Sequence, residues 1–108
     1  MTTNITSLTN EELDRRIAEI KLTEIAKTKF TDERDIEKFV HLFLGIATRE
    51  FTTDPRYAME LLKEMPKGFR VWQTHKGWIC AKINSIWRQA DTLERAIAEA
   101  YATMKEGE

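Results

Sequence analysis

The sequence predicts an α+β fold: a three-stranded antiparallel meander sheet covered by helices on both faces, as an α-β-α sandwich. Three observations predict it. Residues 69–91 (FRVWQTHKGWICAKINSIWRQAD) are rich in aromatic and β-branched types and are broken by His75-Lys76-Gly77 and by Asn84-Ser85, the pattern of short strands joined by tight turns. Helix-period apolar stripes with capping signals stand on either side of this segment. Finally, the strands carry large apolar groups at both parities. Ile79, Ala81 and Ile83 alternate with Trp78, Cys80 and Lys82, and Phe69 and Val71 alternate with Arg70 and Trp72. A sheet that is apolar on both sides needs cover on both.

The elements follow in order. One domain is expected over residues 8–105, with 1–7 and 106–108 as flexible ends. Thr9 and Glu12 fit a capping box, and Leu8 with Leu13 fits the hydrophobic staple that accompanies it. Leu13, Ile17 and Ile20 continue as an i, i+4, i+7 stripe. The stripe loses phase after Lys21, so residues 22–30 read either as more helix or as an extended connection. Thr31 or Asp32 caps a second helix, whose first turn holds Glu33 and Asp35, where the helix dipole favours anions.

In that second helix Ile36, Phe39, Val40, Phe43 and Ala47 keep helical spacing, while Leu42, Leu44 and Ile46 add apolar surface outside the stripe. Phe39, Val40 and Phe43 are assigned to a sheet face, which leaves Leu42 and Ile46 without cover. Phe39, Leu42, Phe43 and Ile46 are therefore read as the interface of a homodimer. Asp54 or Thr53 caps the third helix, with Pro55 at its first position and Ala58, Leu61, Leu62 and Met65 as its buried stripe. Pro66 and Gly68 end it. After the sheet, Asp91 and Glu94 make another capping box. The closing helix buries Leu93, Ala96, Ile97, Ala100, Tyr101 and Met104, its alanines allowing close approach to the sheet. The expected contact is Val71, Ile79, Ala81 and Ile83 against Ile97, Ala100 and Tyr101.

The chain has 108 residues, 42% hydrophobic and 32% charged, enough for one core without disulfide or metal. No apolar run reaches the roughly 18 residues of a membrane helix, so no membrane partner is expected. The segment MTTNITSLTNEE has neither the basic nor the apolar region of a signal peptide, and a lone cysteine makes no internal disulfide. Net charge is −1 but uneven: residues 67–90 hold Lys67, Arg70, Lys76, Lys82 and Arg88 and no acid, +5, leaving −6 for the rest.

Enzyme chemistry finds no constellation here. There are two histidines, no nucleophile elbow, no phosphate-cradling glycine loop and no zinc spacing, so neither a catalytic residue nor a cofactor or metal is assigned. Cys80 sits inside a strand and reads as a packed thiol, and His41 lies within an apolar helical run without a companion ligand.

The combination of ELDRRIAEI, FTTDPRYAMELLKEM, GWICAKI and ADTLERAIAEAYATM resembles the phage ABA sandwich domain. That family comprises small proteins of phages and prophages with an aromatic-Ser/Thr-Thr-Asp helix start, a Trp-x-Cys strand and an alanine-rich closing helix. The match covers residues 8–22 and 51–104. Residues 23–50 depart from it, since the family usually has a Gly-Trp element and a less helical connection there. The resemblance implies a viral origin, the host cytoplasm and the fold, and it brings no catalytic residue.

The expected function is therefore that of a small phage-encoded accessory protein acting by binding. One form is a counter-defence effector that binds a host protein or sequesters a small nucleotide signal. The alternative is a nucleic-acid-binding module on the basic, Trp-containing sheet. Arg70, Trp72, His75, Lys76, Lys82 and Arg88 are the binding candidates in either case.

Overall fold

The closing helix, α4 (Leu93–Glu106), is the element on which the others are arranged. The computed structural model describes residues 5–82 and 86–106. Within α4, Ala96, Ile97, Ala98, Glu99, Ala100, Tyr101, Ala102 and Met104 are buried. A helix buried nearly all round has neighbours on more than one side. The sheet lies on one side of it, while α1 (Asn10–Lys29) and α3 (Pro55–Glu64) pack on it as well, and α2 (Glu33–Ala47) packs on α1. Alanines at 96, 98, 100 and 102 keep α4 slim enough to be covered by a sheet and two helices.

The sheet is the antiparallel meander that the turn signals predict, β1 (Phe69–Thr74), β2 (Gly77–Lys82) and β3 (Ile86–Ala90), in that order. Helices pack on it as expected for the α+β class. The layering, however, is one-sided. Among the described residues α4 is the helix laid along the strands, and α2, which the sequence places on a sheet face, sits on α1 instead.

The register explains a second correction. Thr74 pairs with Gly77, so the turn has two residues, His75 and Lys76, rather than three. Gly77 has φ of +131°, and a Cβ there would stand 2.3 Å from the Ala90 carbonyl oxygen, so this strand start requires glycine. A one-residue change in the turn moves every side chain of one strand to the opposite face relative to its neighbour. Val71 pairs with Cys80 and Trp72 with Ile79. Val71, Trp78 and Cys80 thus join the core against α4, with Phe69, Ile86 and Ala90 packed against it too. Ile79 and Ala81, expected to meet Ile97, Ala100 and Tyr101, are buried on the other face. Trp72 and Trp78, assigned by sequence to one face, are on opposite faces. Ile83 and the Asn84-Ser85 turn lie outside the described residues.

Local signals set the helix limits. The Thr9–Glu12 capping box is complete, with both reciprocal bonds at 3.1 Å. Residues 22–29 resolve as helix because Ala18, Leu22 and Ala26 carry the buried i, i+4, i+8 line onward through small residues. Asp32 caps α2, accepting the Arg34 N–H at 2.9 Å. For α4 the capping oxygen is Thr92, which accepts the Arg95 N–H at 3.2 Å, one residue later than the Asp91–Glu94 spacing predicts. Ile5–Ser7, grouped by sequence with the flexible end, forms a 3-10 turn with Ile5 buried.

Asp54 caps α3: it accepts the Arg56 N–H at 2.9 Å and holds the Arg56 guanidinium through both carboxylate oxygens. The guanidinium, then the N–H, keeps its carboxyl below the ordinary aspartate range. A depressed carboxylate contributes its stabilisation above the unfolded pKa of about 3.9 and loses it as pH falls through the lower folded value. Asp54→Ala is expected to lower the melting temperature at neutral pH. The gap to wild type should close as the pH is taken down through the lowered folded value, and a gap unchanged by acid would remove the cap from this account.

Candidate binding face

On the sheet face away from α4, the register sets out a grid of six side chains. One row runs Trp72, Ile79, Gln89 across β1, β2 and β3; the next runs Arg70, Ala81, Trp87. Ile79 and Ala81 form a buried apolar floor at 6% and 9% exposure. The two tryptophans stand at opposite corners, 42% and 56% exposed. Arg70 and Gln89 occupy the other two corners. Ordinary strand spacing and rise put the tryptophan backbones about 12 Å apart along the diagonal.

This grid joins two flat aromatic surfaces, an apolar floor, one guanidinium and one amide, and it contains no carboxylate. Tryptophan is rarely left half exposed in pairs on one face, since each ring represents a large apolar area in water. The β1–β2 turn adds exposed His75 and Lys76 at one end, the Lys76 N–H donating to Thr74 Oγ1 at 3.2 Å.

The six sequence candidates are thereby divided. Arg70 and Trp72 share the open face, with His75 and Lys76 at its end. Lys82 and Arg88 are on the face toward α4. Lys82 Nζ stands over the Phe69 ring, 6.0 Å from its centroid. Arg88 Nε donates to Thr103 Oγ1 at 2.9 Å and fastens β3 to α4. Trp87 and Gln89 are the members that sequence reasoning missed. Alternation places both on one side of β3, but only the β2–β3 register puts that side with Trp72.

Two clefts lie elsewhere. One of about 350 Å³, where the α2–α3 connection meets α1, is lined by Glu11, Asp14, Glu50 and Asp54 as well as Arg49 and Arg56. At its edge Asp14 is buried and accepts the Thr52 N–H at 2.9 Å; burial pushes its carboxyl up, and the Thr52 bond offsets part of that. A groove of about 450 Å³ between α1 and α2 alternates Arg15 and Lys27 with Glu19, Glu33 and Glu37. Neither gathers cations. Cys80 is fully buried beside α4, and burial pushes its thiol up to about 11, so at neutral pH it is protonated and packed. Among the described residues no cluster of three or more His, Cys, Asp or Glu could hold a metal ion, and no helix is long and apolar enough to cross a membrane.

No family model matches the chain, and no curated protein and no solved structure matches it either.

Proposed function

We propose that this protein binds single-stranded nucleic acid on the open face of its sheet, without chemistry of its own. The observation that carries the reading is the diagonal pair Trp72 and Trp87 over the Ile79–Ala81 floor, exposed and flanked by Arg70 and Gln89. Bases stack on tryptophan whatever their sequence, and a guanidinium meets phosphate or a base edge.

Charge supports the same face. Arg70 stands on it and Lys76 at its end, residues 67–90 contain no acid, and the rest of the chain is net negative, so a polyanion meets the least repulsion there. The two clefts described above carry mixed or acidic linings, which do not favour a sequestered nucleotide in either of them. The phage setting implied by the ABA sandwich resemblance is retained as part of the proposal: an accessory protein working on nucleic acid in the host cytoplasm.

The test is fluorescence anisotropy with labelled dT and rU strands of about 15 nucleotides at ~50 mM salt, beside a duplex of equal length. Single strands should bind more tightly than duplex, quench tryptophan emission and dissociate as salt rises. Trp72→Ala and Trp87→Ala should each weaken binding by roughly five- to 150-fold, the equivalent of about 1–3 kcal/mol per stacked base. Lys63→Ala on α3 should leave binding unchanged, and melting curves check that each variant is folded. No single-strand binding at low salt, or binding indifferent to both tryptophans, rejects the proposal. So does a host protein held by these tryptophans in place of nucleic acid.

A further inference from the structure

On the open face the Arg70–Ala81–Trp87 row differs from the Trp72–Ile79–Gln89 row in shape and in polar chemistry. Ala81 is the smallest side chain of the grid and is buried, so it forms the low point of the face, with Arg70 on one side and Trp87 on the other. Two strand spacings put the Arg70 and Trp87 backbones about 10 Å apart. A base seated over Ala81 against the indole therefore comes within reach of the guanidinium. Trp72 stands only about 7 Å from Arg70 along β1, too close for a base between them. In the Trp72 row the larger Ile79 fills the centre.

The polar groups of the two rows read bases differently. Arg70 is exposed, and among the described residues its side chain takes part in no ion pair and no hydrogen bond. Lys82 and Arg88, the other cations of the strands, are engaged toward α4. A guanidinium is a rigid fork of donors that matches two acceptors side by side. Guanine offers such a pair in O6 and N7. Cytosine offers O2 and N3, on a single ring that covers less of an indole, and adenine and thymine offer no such pair. The half-buried Gln89 amide carries a donor and an acceptor together and finds a match on every base. We propose that the Arg70–Ala81–Trp87 row is a guanine-preferring subsite. The base stacks on Trp87 over Ala81, and Arg70 donates to its O6 and N7. The inference rests on the single-strand reading above and adds a base preference to it.

The test uses thymidine strands of about 15 nucleotides whose central base is thymine, adenine, cytosine, guanine or 7-deazaguanine, read by anisotropy. The guanine strand should bind about five-fold or more tightly than the all-thymine strand, with cytosine between them and adenine near thymine. The 7-deazaguanine strand, lacking N7, should lose most of that advantage. Arg70→Lys keeps the charge without the fork, and Ala81→Ile fills the low point. Each should bring the guanine and thymine strands to within about two-fold of one another, with melting curves checking that the variants are folded. If the strands bind through the tryptophans but adenine equals guanine, stacking alone sets the preference; the subsite is overturned and the single-strand reading stands. A guanine advantage that survives both variants also overturns the subsite. Failure of every strand to bind removes the single-strand reading and the subsite with it.

Discussion

Replacing Arg95 by methionine is expected to cost about 3–5 kcal/mol of stability, the range for breaking one side of a buried ion pair. Arg95 Nε donates to Glu99 Oε2 at 2.8 Å within α4, and the two side chains are only 12% and 5% exposed. The rest of the guanidinium reaches the N-terminal segment. It donates to the Leu8 carbonyl at 2.6 Å, the Ile5 carbonyl at 3.3 Å and Asn10 Oδ1 at 3.0 Å. One side chain thus neutralises a buried carboxylate and ties the chain start to the central helix.

The loss comes chiefly from what remains. Glu99 already has one oxygen, Oε1, without a partner, and removing Arg95 strips the other of its cation. A carboxylate left so in a low-dielectric interior protonates or opens the helix packing around it. The double variant Arg95→Met with Glu99→Leu tests this cause. It removes both charges and should recover more than half of the loss, leaving mainly the missing bonds to Ile5, Leu8 and Asn10. Urea midpoints of the wild type, the two single variants and the double variant decide it. If the double variant is the least stable of the four, the pair is stabilising in its own right and the unpaired-charge argument fails.

How far the sequence leads can be seen at particular residues. Caps are local, so Thr9 could be read directly and Asp32 and Asp54 to within one residue: each needs only its own side chain and the next three residues. The continuation of α1 through Leu22 and Ala26 was ambiguous because alanine scarcely marks a stripe, although Ala26 is fully buried. The sheet faces hinged on whether Gly77 belongs to the turn or to the strand. Only the strand reading puts Trp72 with Ile79. The open face as a whole was not legible either. That, among the described residues, Trp72 and Trp87 have no helix over them follows from α2 packing on α1, a tertiary choice that no periodicity in residues 33–47 encodes. Lys82 and Arg88 show the limit of charge counting. Both belong to the basic strand segment, yet one is spread over a ring and the other serves a threonine on α4.

Two isoleucines then test the layer order. Both are buried, Ile97 completely and Ile79 to 6% exposure, and burial alone would predict equal truncation costs. Their surroundings separate them. Ile97 belongs to the core cluster of α4, with protein on every side. Removing its three outer carbons leaves a void that the sheet and helices cannot close, so Ile97→Ala is expected in the upper part of the roughly 2–5 kcal/mol range. Ile79 belongs to the open face, where its neighbours are Trp72 and Gln89 across the strands and Trp87 on the diagonal. Those side chains are free to settle and water can reach the site, so Ile79→Ala should stay near the lower end, at about 2 kcal/mol. Ile79 should also be coupled to Trp72. Once Trp72→Ala has uncovered it, truncating Ile79 costs less than in the wild type, and the two losses should fall short of additivity by about 0.5 kcal/mol or more. Ile97 and Trp72, on opposite sides of the sheet, should add. Denaturant unfolding of the five variants settles the order of layers. An Ile79→Ala loss larger than that of Ile97→Ala, with no coupling to Trp72, would mean that the face called open is covered in solution.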